Sequence, residues 1–173
     1  MAKNKLSLQA YQQDILERLK NLAEGGSTAP SSRLGVKIGD SNWLVSLDDI
    51  SEVLPIPDIM HVPLTHSWFM GMANVRGNLY GLTDLAGLFG NRPGSVTDES
   101  RILLAHQSLD VNAGFLVDQL IGLRNLEDMQ LQSPDQERPE WQLERYQDAN
   151  GQNWDVLDIE ALISQDNFMH VAA

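Results

Sequence analysis

The chain has 173 residues, 42% of them hydrophobic, enough for one globular domain with a substantial core or for two small units that share one. It contains no cysteine, which excludes disulfides, thiolate metal sites and a cysteine nucleophile. Its 24 acidic residues against 12 basic ones give a net charge of −12, which repels phosphate backbones and anionic lipid and argues against nucleic acid or a membrane surface as partner.

No segment approaches the roughly 20 apolar residues a spanning helix needs, and no apolar stretch follows Lys3 and Lys5 as it would in a signal peptide. Leu8, Tyr11, Ile15, Leu19 and Leu22 recur at spacings of three and four, which predicts an amphipathic helix over 6–23. Gly25 and Gly26 end it, and the small residues up to Ser32 read as a linker. The apolar stripe of that helix suits its own domain or another chain equally well.

From Arg33 the period falls to two. Leu34, Val36 and Ile38, then Trp43, Val45 and Leu47, flank Gly39-Asp40 and predict a β-hairpin over 33–47. Ile50 to Leu54 continues apolar until Pro55 and Pro57 stop it. Residues 59–68, with Pro63, His61 and His66, read as a loop with a short helix. Strands over 70–75 and 79–83 flank a tight turn in which Gly77-Asn78 would supply positive φ. Asp84 stands where it can cap a short helix over 85–89 that Gly90 ends, and a polar loop follows over 91–100.

Strands are predicted at 102–105 and 115–123, then a long acidic connection over 125–140. Asn150-Gly151 between Tyr146 and Trp154 predicts a hairpin with a type I′ turn. Asp158 can cap a last helix over 159–164, and the tail beyond it reads as ragged. Many short strands with turns between them argue an all-β fold. A faint echo joins the halves: Leu47-Asp48-Asp49-Ile50 and the helix after Asp84 return about 70 residues later as Val117-Asp118-Gln119-Leu120 and the helix after Asp158.

Catalytic patterns are missing. His61, His66, His106 and His170 show no zinc-ligand spacing, and there is no nucleophile elbow or phosphate-binding loop. Asp84 and Asp158 could in principle share a proton, but the loop sequence for an aspartyl pair is missing, and helix capping explains them more simply. Neither metal nor cofactor is expected.

Gly71, then Met72-Ala73-Asn74-Val75-Arg76-Gly77, a hydrophobic strand and Asp84-Leu85 resemble the signature of the CheW-like family. Trp43 to Leu54 resembles the family's second strand with its V-x-E-[VI] element, Pro63 falls where the family places a proline, and Gly114-Phe115-Leu116-Val117-Asp118 and Gly151 to Leu162 resemble two later strands and the closing helix. The resemblance covers most of 33–164. It implies two five-stranded, SH3-like β-barrels that share a hydrophobic core, preceded here by an N-terminal helix. The expected organisation is a helical extension over 1–24, a linker over 25–32, the domain over 33–165 and a tail over 166–173.

By the same resemblance the protein is a non-catalytic, cytoplasmic adaptor at membrane-associated receptor arrays, without membrane insertion. Its partners would be the regulatory domain of a CheA-type histidine kinase and the cytoplasmic tip of a chemoreceptor. Ile50 and Glu52 match the kinase-contacting element. Arg76, preceded by Val75, matches the arginine that supports the receptor-facing surface and pairs with that glutamate. Ile50, Val53 and Val75 would then form either an apolar patch beside the ion pair or part of the core. Gly81 replaces a common proline and Leu34 a common aromatic. The extensions and the acidity resemble the branch that serves type IV pilus, or twitching motility, systems. A β-barrel module binding a small ligand in a cleft between the barrels is the alternative.

Overall fold

Runs of alternating and of continuous apolar residues become two β-sheets in a computed structural model that describes residues 15–17, 31–91, 96–134 and 136–173. The strands are β1 (Ser32–Ile38), β2 (Ser41–Ser46), β3 (Ile50–Leu54), β4 (Phe69–Val75), β5 (Asn78–Asp84), β6 (Arg101–Ala105), β7 (Ala113–Val117), β8 (Gln119–Asn125), β9 (Gln130–Gln132), β10 (Gln142–Gln147) and β11 (Asn153–Leu157). The short helices α1 (Leu85–Leu88), α2 (Ile159–Ile163) and α3 (Asp166–Met169) complete the fold. One sheet runs β8-β1-β2-β11-β10-β9 and the other β3-β6-β7-β5-β4.

The faint echo has a structural meaning. Five strands of the first sheet, β8-β1-β2-β11-β10, repeat the pairing pattern of β3-β6-β7-β5-β4: antiparallel, antiparallel, parallel, antiparallel. The chain leaves the first sheet through the 3₁₀ turn Leu47–Asp49 after β2, and returns to it at Asp118 after β7. Those crossings, and the helix starts after Asp84 and Asp158, are the positions that echo each other.

Both sheets contribute to one central apolar layer. Leu34, Val36, Ile38, Trp43 and Val45 meet Ile50, Val53, Leu103, Ala105, Phe115 and Val117 there, with Ile159, Leu162 and Phe168 packed alongside. The alternate side chains fill each barrel: Ile102, Leu104 and Leu116 with Leu54, Ala73 and Leu82 in one, Leu44, Trp154 and Val156 in the other. A strand such as β6 is therefore buried on both faces and reads as an unbroken apolar run. Residues 15–17 are helical and Leu16 is buried within the central layer. The remainder of the predicted helix over 6–23, and most of the linker, lie outside the described residues.

Several local readings are corrected. The strand predicted over 115–123 is two strands in different sheets, because Asp118 breaks it. Its N–H donates to Lys37 O at 2.8 Å and its carboxylate accepts from the N–H of Gly39 in the β1–β2 turn. The β10–β11 loop is not a two-residue type I′ turn. Asp148 N–H pairs with Gln152 O and Gly151 N–H with Asp148 O, so three residues form the loop, with Gly151 alone at positive φ (+78°). Asp158 Oδ1 caps α2 through Ala161 N–H at 3.0 Å, whereas the Asp84 side chain makes no such bond to α1. The connection over 125–140 contains β9. Residues 59–68 hold no helix. The tail is ordered by α3 and by a bridge from Thr65 to Ala172, with Phe168 set against Phe115 and Trp68.

Gly71 sits at φ +130°, and a Cβ there would lie 2.3 Å from Met60 O, the carbonyl that accepts the Met72 N–H. Gly71→Ala therefore combines backbone strain with a clash against backbone, and its expected cost is about 2–4 kcal/mol, read as a lowered urea midpoint with unchanged slope.

Acid dependence has two opposed contributors. Asp148 is held below the ordinary 3.8 by the Trp154 indole N–H and by the Gln152 and Asn150 N–H groups. Its contribution is full above that value and vanishes as pH falls through the depressed pKa. Burial, then repulsion from Asp158, Asp48 and Glu160, pushes Asp49 up, so acidification to its raised pKa relieves a penalty instead. Thermal unfolding of Asp148→Asn between neutral and strongly acid pH should fall off less steeply than that of the parent chain, and that of Asp49→Asn more steeply.

Candidate functional site: the β3 edge and the β4–β5 turn

The N-V-R-G sequence builds its turn residue by residue. Val75 pairs with Asn78, leaving Arg76 and Gly77 as a two-residue loop with φ of +53° and +87°. Positive φ at both central positions is the type I′ signature, and it falls one residue earlier than Gly77-Asn78. Asn74 Oδ1 accepts the Gly77 N–H at 2.9 Å and steadies the turn. Arg76, a residue disfavoured in this conformation, is held there by its side chain: Nη1 donates to Glu52 Oε2 at 2.7 Å and Nη2 to Glu52 Oε1 at 2.6 Å.

Glu52 reaches that position because β3 contains a bulge. Ile50 pairs with Ala105 and Glu52 with Leu104, so Ser51 is the extra residue, and its hydroxyl donates to Leu104 O and Ala105 O. The bulge resets the alternation. Ile50 and Val53 both enter the central layer, and Glu52 turns away from it, toward Arg76. β3 and β4 are opposite edges of their sheet, so this one ion pair joins first strand to last and closes the barrel.

The expected site residues thus separate. Glu52 is mostly buried and Arg76 is 58% exposed, so the guanidinium is the outer member of the pair. Val75 is half-buried against the cluster of Leu54 and Ala73. Ile50 is fully buried and offers no surface to a partner, a correction that follows from the bulge. Val53 is core as well.

A second pair was missed. Arg145 Nε and Nη2 donate to the buried Asp155 at 2.8 and 2.9 Å, and Arg138 approaches the same carboxylate at 3.7 Å. Arg145 and Asp155 face each other across the β10–β11 hairpin, so opposite charges equidistant from Asn150 were the available signal. Among the described residues no group of three or more histidine or acidic side chains could hold a metal ion, and no helix is long and apolar enough to cross a membrane.

Two small barrels back to back, one of them closed by an acid on an edge strand and an arginine on a hairpin, define a class of all-β domain. A CheW-like domain model matches residues 33–167, and the chain belongs to that family. It is 31% identical over 117 residues to Protein PilI of Pseudomonas aeruginosa, an alignment covering 65% of this chain and 65% of that protein. It is 28% identical over 111 residues to the chemotaxis protein CheW of Helicobacter pylori, covering 62% and 67%. The chain thus spans about two thirds of the length of these curated relatives. The crystal structure of the scaffolding protein TtCheW from Thermoanaerobacter tengcongensis superposes with a TM-score of 0.66 at 17% identity, covering 79% of this chain and 94% of that one, a likeness of fold.

A double-mutant cycle measures the clamp. Glu52→Gln and Arg76→Ala should show a coupling of about 1–2 kcal/mol in urea unfolding, above the 0–1 of exposed pairs and below the 3–5 lost on breaking a buried one. Additive single effects would mean that the pair does not hold the barrel closed.

Proposed function

We propose that this protein is a non-catalytic adaptor that couples chemoreceptors to a CheA-type histidine kinase in the control of type IV pili. Its work is association, done at membrane-associated receptor arrays on the cytoplasmic side. The observation that carries the reading is the Glu52–Arg76 clamp, which fixes an exposed guanidinium on a rigid hairpin of a CheW-like domain. A rigid turn loses little entropy on docking, and arginine is the side chain best able to bind carboxylates and carbonyls in a fixed plane. Glu52 belongs to the kinase side of this face, with Ile50 supporting it from within. Arg76 and Val75 belong to the receptor side. The pilus assignment follows the likeness to PilI.

Charge reversal tests the assignment. Titration of the kinase regulatory domain into Glu52→Lys, and of a receptor-tip fragment into Arg76→Glu, should each show at least about tenfold weaker binding, or about 1.4 kcal/mol. Thermal unfolding should stay cooperative in both. The swap Glu52→Arg with Arg76→Glu should recover stability but not affinity. Affinity that tracks stability through all three variants would reduce the pair to a structural role.

A further inference from the structure

Ile50 and Glu52 make demands on β3 that no regular strand can meet. Two residues apart, they would share a face, yet Ile50 is fully buried in the central layer and Glu52 turns away from it to Arg76. The chain is fixed on either side of the conflict. His106 N–H donates to Asp49 O at 2.8 Å before it, and Val53 pairs with Leu103 after it. Between these anchors three residues of β3, Ile50, Ser51 and Glu52, face two of β6, Ala105 and Leu104. The surplus falls on Ser51.

The reach of its hydroxyl sets Ser51 apart. Successive carbonyls of a regular strand point to opposite sides, but Ser51 Oγ lies 3.3 Å from both Leu104 O and Ala105 O. It therefore spans the place where the pairing of β3 with β6 is irregular. A side chain without that hydroxyl gives up these bonds, and the register is then contested. Ile50 would have to expose a large apolar side chain to water, whereas Glu52 recovers its hydrogen bonds there. The layer keeps Ile50, and Glu52 is the residue that moves.

We propose that Ser51 is the positioning residue of the clamp: its hydroxyl holds the register that delivers Glu52 to Arg76, and through the clamp it sets the docking face. The role in the clamp stands on the geometry of β3, and the role in docking rests on the adaptor function.

Threonine and valine have the same shape and both suit a strand, so Ser51→Thr and Ser51→Val differ only in the hydroxyl. Ser51 is exposed and lines a depression of about 220 Å³ with Tyr80 and His106, which gives the added methyl groups room. The cycle of Glu52→Gln and Arg76→Ala, repeated in each background by urea unfolding, should lose about half of its coupling or more in Ser51→Val and keep it in Ser51→Thr. Affinity for the receptor-tip fragment should fall about fivefold or more in Ser51→Val and stay within about twofold in Ser51→Thr. A residue that only supports the fold lowers stability and leaves the coupling intact, and Phe115→Leu, a loss of core packing on β7, supplies that control. Coupling retained in Ser51→Val, lost equally in Phe115→Leu, or not restored by threonine would each overturn the assignment. Coupling lost while receptor-tip binding stays unchanged would keep Ser51 as the positioning residue of the clamp and remove the clamp from the docking face.

Discussion

The central apolar layer shared by the two sheets is the constraint from which the other features follow. Each sheet must bury one face against the other and still fill its own interior, so strands such as β6 and β7 carry apolar side chains on both faces. The layer also dictates the path of the chain, which crosses from one sheet to the other after β2 and back after β7. The crossings need side chains that stop a strand and start another. Asp118 does this by binding Lys37 O and the Gly39 N–H at once, which stitches the second crossing to the first hairpin.

Given that layer, each barrel needs only a local lock between its edge strand and its last hairpin. In the five-stranded barrel, acid on β3 meets base on the β4–β5 turn. In the other, Arg124 on β8 lies 5.3 Å from the Trp154 ring, and that indole donates to Asp148 at the β10–β11 loop. Arg124 also lowers the pKa of Asp148. The second barrel thus has a lock of its own, in which an aromatic ring stands between the arginine and the carboxylate. The first version leaves its arginine at the surface.

Much of this was legible in the chain. Period-two runs at 34–38 and 43–47 and the N-V-R-G turn follow from residue types and spacing, and the pairing of Glu52 with Arg76 follows from the family resemblance. What escaped was governed by register, which one sequence does not display. The bulge at Ser51 decides that Ile50 faces inward while Glu52 does not, and nothing in I-S-E-V announces it. The same holds for Asp118, which interrupts an apolar run by hydrogen bonds to residues far away in sequence. Arg145 and Asp155 become a pair only once the hairpin loop is known to hold three residues.

The parallel pairing of β2 with β11 sets an order of events. The five-stranded barrel is built from one continuous stretch, β3 to β7, whereas the other draws its neighbours from both ends of the chain. During synthesis the N-terminal hairpin emerges early and lacks its parallel partner until β11 has left the ribosome. The middle barrel can close first and serve as a template, on which the ends then meet. Such long-range closure is slow, and it leaves the edge of β2 exposed to misplaced strands during translation.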